Sequence, residues 1–223
     1  NITDVQMSVE KMSISTIKDI PQLLGEADII KSIQLRPGVT SVGEGASGFN
    51  VRGGNIDQNL ILLDESPIFN SSHLFGFFSV FNPDAIKDVT LYKGGIPSKY
   101  GGRLSSVMDV RQRDGNDKKF SARGGLGLLF SRLTLEGPLV KDKVSFLVSG
   151  RRSYADLFLK LTEDFKDNSA YFYDFNAKVS WKINDKNRLF ASGYFGKDVF
   201  GFGEDFNMKW GNATGNLRWN HII

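Results

Sequence analysis

The sequence contains no cysteine and only two histidines among its 223 residues. Without cysteine there is neither a disulfide framework nor a thiolate metal site. The two histidines, His73 and His221, are far apart in the chain, and no nucleophile motif lies near either of them. We therefore expect a protein that is not an enzyme and that carries no resident metal or cofactor.

Long hydrophobic runs are also absent, since no apolar stretch approaches the ~18 residues that a transmembrane helix requires. Strands of a β-barrel leave a much weaker hydropathy signal, so a barrel protein remains compatible with the sequence. Residues 1–4 (NITD) lack the features of a signal peptide, and the chain is expected to begin inside a mature protein. The net charge of +3, without any basic run, does not favour a nucleic-acid partner.

Glycine and phenylalanine are abundant, with 24 and 18 residues, whereas proline occurs 6 times. This composition favours many short strands and tight turns over a helical bundle. The sequence changes character near residues 113–117 (RDGND). We predict an N-terminal segment over residues 1–20, an α+β domain over residues 21–115 and a strand-only region over residues 116–223.

In the first half, Ala27, Ile30 and Ile33 have helical spacing, and the following Arg-Pro-Gly sequence is typical of a helix end. A helix is therefore predicted over residues 26–35. Asn82 precedes Pro83 and predicts one capped helical turn. Short strands are predicted over residues 49–52, 60–63, 89–92 and 106–110.

In the second half, apolar residues occupy alternate positions over residues 171–183. Such alternation predicts a strand with one apolar and one polar face. Similar alternation occurs over residues 144–149 and 211–219, and its interruption near Gly127 predicts a tight turn between two strands. The longest of these strands exceeds the ~5–6 residues usual in soluble sheets.

The predicted connections alternate in length, as they do in outer-membrane barrels. Short turns are predicted over residues 137–142 and 184–187, and long polar connections over residues 153–170 and 198–207. Aromatic residues near the strand ends suit the girdles of such barrels; they are Tyr171, Phe172, Trp181, Trp210 and Trp219. A soluble antiparallel sandwich would share these features, and only the strand length favours the barrel.

Two short motifs suggest ligands but lack the surroundings that such ligands need. Residues 43–48 (GEGASG) match a nucleotide-binding pattern, yet a helix precedes them and a strand follows, which is the reverse of that fold. We interpret them as a loop that uses positive φ angles. Asp114, Asn116 and Asp117 miss the spacing of a calcium loop and are interpreted as a solvated turn.

Residues 67–78 (PIFNSSHLFGFF) combine aromatic, amide, hydroxyl and imidazole groups. Such a mixture suits a ligand surface built from stacking and hydrogen bonds. The alternative is that the phenylalanines pack inside the domain and the polar side chains face water.

Five blocks of the first half, in this order, resemble the plug domain of TonB-dependent receptors. They are residues 33–39 (IQLRPGV), 48–54 (GFNVRGG), 60–64 (LILLD), 86–95 (IKDVTLYKGG) and 100–110, which contain YGG and VMDV. In the family, a helix ending in "PGV" leads to a strand ending in "RG". An "LDG"-like hairpin, an "I..VEV.RGP" strand and a "YG" with a closing strand follow.

The resemblance implies an α+β plug domain followed by antiparallel transmembrane β-barrel strands, about six of them, which form an incomplete barrel. It implies a receptor in the outer membrane of a Gram-negative bacterium, which binds an extracellular nutrient and imports it through a plugged β-barrel. The implied partners are the TonB energy-coupling complex, outer-membrane lipid and an imported siderophore, oligosaccharide or peptide, with a surface lipoprotein as a further candidate. The alternative is a soluble β-rich module of the carbohydrate-binding kind.

The resemblance also assigns roles to particular residues. In the family, arginines of the "RG" and "RGP" blocks contact barrel-wall carboxylates and latch the plug. Arg52 matches the first of these, and Lys93 replaces the second with the charge kept but the bidentate fork lost. Because plug apices face the outside, the candidates for the ligand-facing loop are Asn70, Ser71, Ser72 and His73.

Two departures from the family pattern lead to further expectations. Asp64-Glu65 stands where the family has Asp-Gly, so the hairpin turn is expected to differ. No TonB-box segment is recognised near the N-terminus, and we expect it to lie before Asn1.

Overall fold

The computed structural model describes residues 8–20, 26–43, 48–127, 129–203 and 206–222. The chain divides into two compact units, Asn1–Gln112 and Arg113–Ile223, which we call the plug unit and the sheet unit. Within the described residues, none of the helices has both the length and the apolar character needed to cross a membrane.

The plug unit mixes short helices with strands. In chain order they are β1 (Val9–Ser13), α1 (Ile14–Lys18), α2 (Ile29–Gln34), β2 (Val39–Ser41), β3 (Phe49–Val51), β4 (Asn59–Leu63), β5 (Ser66–Pro67), β6 (Ser72–His73), β7 (Phe78–Ser79), β8 (Ile86–Tyr92) and β9 (Ser106–Gln112). A five-stranded sheet has the order β1-β8-β9-β4-β5, and β2-β3 and β6-β7 form separate pairs. Strands β4 and β9 are parallel, and the other pairs are antiparallel.

The predicted helix over residues 26–35 is present as α2, with a later start. Asp28 has extended backbone angles, and its side-chain Oδ1 accepts a hydrogen bond of 2.9 Å from the amide of Lys31. Because Asp28 caps the first turn in this way, the helix begins at Ile29.

The turn at Asn82 forms but does not become helical. The Asn82 side chain accepts a hydrogen bond of 3.0 Å from the amide of Asp84, and its carbonyl accepts one of 3.0 Å from Ala85. Ile86 already belongs to β8. The prediction of a capped helical turn is therefore wrong, and the Asn82 side chain stabilises a single turn before β8.

The hairpin between β4 and β5 keeps a tight turn despite the missing glycine. Asp64 and Glu65 both have positive φ angles, of 47° and 75°. Two such residues make the type I′ turn that Asp-Gly sequences favour. The substitution is therefore accommodated as backbone strain at Glu65, and not as the different turn that the sequence led us to expect.

The core of the plug unit is apolar, as in a soluble domain. Its fully buried side chains come from both helices, from strands β3, β8 and β9, and from the segment before β8; they include Ile17, Ile29, Ile33, Phe49, Phe81, Ile86, Leu91 and Met108. Burying these groups is the main favourable contribution to the folding of this unit.

The sheet unit is a single antiparallel sheet with one helix. Its elements are β10 (Ser121–Leu126), β11 (Phe130–Val140), β12 (Val144–Ser153), α3 (Ala155–Leu159), β13 (Ser169–Lys182), β14 (Asn187–Phe202) and β15 (Phe206–His221). The six strands pair with their neighbours in chain order. The prediction of about six antiparallel strands is confirmed.

The strand predicted over residues 171–183 is confirmed as β13. The interruption near Gly127 is also a tight turn, because the amide of Gly127 donates a hydrogen bond of 2.9 Å to the carbonyl of Phe130. The predicted turn includes Leu128, which lies outside the described residues.

Two predicted connections are shorter in the structure. Gly137 and Pro138 belong to β11, where the pairing register shifts just after Pro138. Proline has no amide hydrogen to donate to the ladder, so within a sheet it is tolerated mainly at such irregularities. Residues 198–202 and 206–207 continue the β14–β15 ladder, with Asp198 opposite Trp210, so the predicted long connection is wrong. The long connection after Ser153 is confirmed and contains α3.

Candidate functional site

The sheet unit buries its polar face and exposes its apolar face. In β13, Asp174, Asn176 and Lys178 are buried, whereas Phe175 and Trp181 on the opposite face are exposed. Directly opposite residues of antiparallel strands share a face, so the apolar surface continues onto neighbouring strands. A soluble sheet has the reverse arrangement.

The apolar face continues across β14 and β15 and ends in tryptophan. Phe175 pairs with Phe195, and the row from Trp181 through Leu189 leads to Trp219, which is 65% exposed. Both tryptophans lie beside the short turn over residues 184–187. This position suits an interfacial girdle.

The predicted girdle is wrong at two of its five positions. Phe172 is fully buried on the polar face, and Trp210 pairs with Asp198 of that same face. Nearness to a strand end was the only basis for including them, whereas the alternation places both on the other side. Tyr171, Trp181 and Trp219 lie on the apolar face.

The buried polar face is held together by ion pairs within the sheet unit. Arg151 on β12 donates two hydrogen bonds to Asp174 on β13, one of them 2.9 Å from Nε. Both side chains are buried. Such a pair needs its full set of partners, because an unpaired charge in this position is costly.

Residues 113–117, which we call the anchor segment, are fastened to three strands of the sheet. Both carboxylate oxygens of Glu136 accept hydrogen bonds of 2.7 and 2.8 Å from Arg113. Lys178 lies 3.0 Å from the carboxylate of Asp114. A side chain at Gly115 would come within 2.0 Å of the Phe146 carbonyl oxygen. Asp114, Asn116 and Asp117 are exposed, in agreement with their interpretation as solvated residues, although Asp114 is also ion-paired and Gly115 lies against β12.

In the plug unit, the two latch candidates converge on the start of β1. The ammonium of Lys93 pairs with Glu10 and also donates 2.9 Å to the carbonyl of Pro37. The guanidinium of Arg52 donates 2.6 Å to the hydroxyl of Ser8. Lys93 is only 8% exposed, and its buried ammonium is paired with the carboxylate of Glu10.

We call the group Lys93, Arg52 and Arg36 around Ser8 and Glu10 the β1 clasp. Arg36 lies 3.9 Å from Glu10, and its Nε donates 3.1 Å to the sulfur of Met12. The backbone adds a hydrogen bond of 2.8 Å from the amide of Lys93 to the carbonyl of Ser8. Sequence reasoning missed Glu10 because nothing in its local spacing separates it from an ordinary surface carboxylate.

In the proposed ligand-facing loop, several aromatic side chains are more exposed to solvent than the polar ones. His73 is 1% exposed, and Ser71 and Ser72 are also buried, whereas Asn70 is half-buried. Phe69 is 83% exposed, and Phe75 and Phe77 are exposed as well. Of the two arrangements left open by the sequence, neither describes this loop fully.

The loop also carries backbone strain. Leu74 and Phe75 have positive φ angles of 47° and 59°. A bulky side chain rarely adopts this conformation, which persists only where surrounding structure holds it and is concentrated at functional sites. Strain at this loop therefore adds to its candidacy as a functional region.

A cleft of about 540 Å³ lies beside this loop within the plug unit. We call it the plug cleft. Among its lining residues are Asn50, Asn55, Asp57, Phe69, Asn70 and Arg103. Gly43 and Gly48, at the ends of the glycine-rich motif, have positive φ angles as expected, while residues 44–47 lie outside the described residues.

Burial shifts the proton affinity of two groups in the plug unit. Burial raises the pKa of Asp28 above its ordinary value of 3.8, although hydrogen bonds from the amides of Lys31 and Ser79 oppose the rise. Burial also raises the pKa of Tyr100, whose hydroxyl donates 2.9 Å to Asp109. Both are structural groups, because each is satisfied by neighbours in the fold.

The comparisons with known proteins agree with this architecture. Residues 3–107 match the family described as the TonB-dependent Receptor Plug Domain. Together with the fold, this match defines a mixed α/β plug domain followed by six antiparallel strands. The first half of the chain is therefore similar to the plug domain of TonB-dependent receptors.

Solved structures of receptors share the fold at low sequence identity. The siderophore receptor PirA from Acinetobacter baumannii is 18% identical with a TM-score of 0.64, over 89% of this chain and 32% of its own. The FrpB iron transporter from Neisseria meningitidis is 16% identical with a TM-score of 0.66, over 96% and 37%. Pseudomonas aeruginosa FpvA, bound to pyoverdine, is 13% identical with a TM-score of 0.67, over 97% and 32%.

The chain thus spans about a third of the length of these receptors. No curated protein sequence matches it significantly.

Proposed function

We propose that this chain is part of a receptor in the outer membrane of a Gram-negative bacterium, which binds an extracellular nutrient and imports it through a plugged β-barrel. The observation that carries the proposal is the pairing of a plug domain with a sheet whose apolar face is exposed. An exposed apolar face is costly in water but is suited to lipid. The TonB energy-coupling complex and the nutrient are the proposed partners.

The soluble-module alternative is less favoured by the same observation. Leu217, Trp219 and Phe195 would remain in contact with water in a soluble protein. A soluble antiparallel sheet packs its apolar face on a core and turns its polar face to solvent. Here the polar face is the buried one.

The proposal is tested on the full-length protein encoded with this chain, expressed in a Gram-negative host. We expect it in the outer-membrane fraction, with the heat-dependent electrophoretic mobility of a folded barrel. A strain lacking the gene and a strain lacking TonB should share a growth defect on the same nutrient. Recovery of the folded protein in the soluble fraction would refute the membrane proposal. Normal growth of the strain that lacks TonB, with a growth defect only in the strain that lacks the receptor, would refute TonB dependence.

For Arg52 and Lys93 we propose a latch that acts on β1. The β1 clasp places two cations of the family motifs against the first described residues of the chain. The Lys93–Glu10 pair is the strong contact of the clasp because Lys93 is buried, whereas the half-buried Arg36–Glu10 pair contributes little individually. The clasp would therefore hold β1 at rest and release it when the N-terminal segment is pulled.

The latch is tested by amide hydrogen exchange over residues 9–13 in the full-length receptor. Glu10→Gln leaves the Lys93 ammonium buried without its carboxylate, and we expect exchange in β1 to rise by roughly tenfold. Lys11→Gln is the matched control, since Lys11 lies 3.8 Å from Asp88 and is largely exposed. Equal effects of the two variants would contradict the latch.

For the ligand-facing loop we propose a narrower role than the sequence suggested. Asn70 remains a candidate because it is half-buried and lines the plug cleft. Ser71, Ser72 and His73 would support the loop from inside, because their side chains are buried.

A further inference from the structure

The plug cleft has a volume that suits a small ligand. Its volume of about 540 Å³ falls within the range of roughly 300–1,000 Å³ that is typical of small-molecule sites. All of its lining residues belong to the plug unit. Its chemistry can therefore be considered from the plug domain alone.

The charges around the cleft cancel. Among its described lining residues, Asp57 is the one acidic group and Arg103 the one basic group. The loop beside it, residues 66–83, contains no charged residue. An anionic ligand is normally met by a cluster of cations that focuses positive potential, and the described lining offers no such cluster.

The polar lining consists largely of amide groups, and one of them has spare capacity. The Asn50 side-chain oxygen is buried and accepts no hydrogen bond within the described structure. Asn59 differs, since its amide donates 2.7 Å to the carbonyl of Phe49 and its oxygen accepts 2.6 Å from Ser106. Buried polar atoms nearly always have a partner, so the free oxygen of Asn50 indicates that a donor is supplied by a ligand or by water.

An aromatic ring stands at the edge of the cleft. Phe69 is 83% exposed, and the apolar side chains of Ile56 and Val42 beside the cleft are exposed as well. A single exposed ring is common on protein surfaces. Here it lies beside amide, carboxylate and guanidinium groups, the combination that holds a ligand with a flat apolar face and hydroxyls at its rim.

A bare metal ion does not fit this site. Over the described ranges, no three histidine, aspartate or glutamate side chains lie close enough together to hold one. Amide oxygens with a single carboxylate are weak ligands for transition metals, which prefer imidazole or thiolate.

We propose that the plug cleft binds an uncharged sugar unit of an imported oligosaccharide. The pyranose face stacks on Phe69. Its hydroxyls donate to the Asn50 oxygen and exchange hydrogen bonds with Asp57, Asn70 and Arg103. This inference rests on the proposed receptor function and names its substrate class, which is neutral carbohydrate and not an anionic metal chelate.

The experiment measures binding of the full-length receptor, in detergent, to an array of neutral and acidic oligosaccharides. Ferric citrate and a mixture of neutral hexapeptides are tested in solution as competing classes. We expect at least one neutral oligosaccharide to bind, and Phe69→Ala and Asn50→Ala each to weaken its affinity by about tenfold or more. Phe77→Ala is the matched control, because Phe77 is an exposed ring of the same loop that does not line the cleft.

Three outcomes overturn the inference. They are binding of ferric citrate or peptide in place of sugar, binding of acidic sugars alone, and loss of affinity that is equal in Phe69→Ala and Phe77→Ala. Binding in detergent does not depend on TonB, so a receptor that imports a different nutrient in a TonB-dependent way would refute the sugar site and leave the proposed function intact. A sugar-binding protein that is soluble would refute the proposed function and leave the site intact.

Discussion

The two units of this chain distribute apolar and polar side chains in opposite ways. In the plug unit, Ile33, Phe81 and Met108 are buried in a continuous apolar core. In the sheet unit, Ser149 and Asp174 are buried, while Phe175 and Trp219 on the other face are exposed. Since alternation along a strand fixes only which residues share a face, the surroundings decide which face is buried. The proposed membrane location accounts for the reversal.

Breaking the buried ion pair of the sheet unit tests this contrast most strongly. Arg151→Met leaves the carboxylate of Asp174 buried without its partner, and we expect a loss of about 3–5 kcal/mol in unfolding free energy. The measurement is equilibrium unfolding of the full-length receptor reconstituted in phospholipid. The double variant Arg151→Met/Asp174→Leu should recover most of the loss, and a double variant as unstable as the single one would argue against the pair.

A positive charge on the apolar face of the sheet unit should lower the unfolding free energy by less than the broken ion pair does. A positive charge on the surface of the plug unit should have little effect. Phe195→Arg lies in the middle of β14, where an arginine facing lipid costs roughly 2–4 kcal/mol. Leu104→Arg in the plug unit is the control, because Leu104 is 87% exposed and surface substitutions usually change stability by about 0.5 kcal/mol or less. Similar losses for both variants would show that the outer face of the sheet contacts water.

The substitution Gly115→Ala should lower the unfolding free energy by less than Phe195→Arg does. Its Cβ would meet the Phe146 carbonyl at 2.0 Å, so the backbone of the anchor segment or of β12 must shift, and overpacking of this kind costs about 1–3 kcal/mol. Gly101→Ala in the plug unit has open space around it and is expected to be nearly neutral. The measurement is the thermal unfolding midpoint of each variant, which should be lower for Gly115→Ala than for Gly101→Ala. Equal midpoints would contradict close packing at Gly115.

The smallest expected effect concerns the buried cap of α2. Asp28→Ala removes the acceptor for the Lys31 and Ser79 amides and should cost about 1 kcal/mol. Burial raises the pKa of Asp28 in the folded state, so folding is favoured when this group is protonated. The stability that it contributes is present below pH 3.8 and is lost as pH rises through the folded-state pKa.

This pH dependence can be measured against Asp28→Asn, which cannot ionise. As pH rises from acid toward neutral, wild type should lose unfolding free energy relative to this variant. A difference that stays constant with pH would show that the carboxyl titrates alike in the folded and unfolded states.

Much of the fold could be predicted because it depends on short-range patterns. The alternation over residues 171–183 defines both β13 and the division of its faces, and the ordered sequence blocks locate the plug domain. The end of β14 could not be predicted, because polar and glycine-rich residues there are held in the ladder by pairing with β15. Strand length depends on the partner strand as well as on the strand itself.

The candidate sites were less predictable because their contacts join distant parts of the chain. Glu10 meets Lys93, and Arg113 meets Glu136, across separations that no local pattern encodes. The candidate ligand-facing loop was predicted from its composition, but the exposure of Phe69 and the burial of His73 depend on how the loop folds. A strained backbone at Leu74 and Phe75 adds a constraint that residue types alone do not indicate.

The anchor segment fixes the C-terminal end of the plug unit to the strands of the sheet unit. Arg113 directly follows the last strand of that unit and is clamped to Glu136. The stretch from Ser8 to Arg113 contains 105 peptide links (113 − 8), and a fully extended chain of that length reaches roughly 380 Å at most. If β1 is pulled as proposed, even a fully unfolded plug unit would therefore stay fixed to the sheet unit at Arg113.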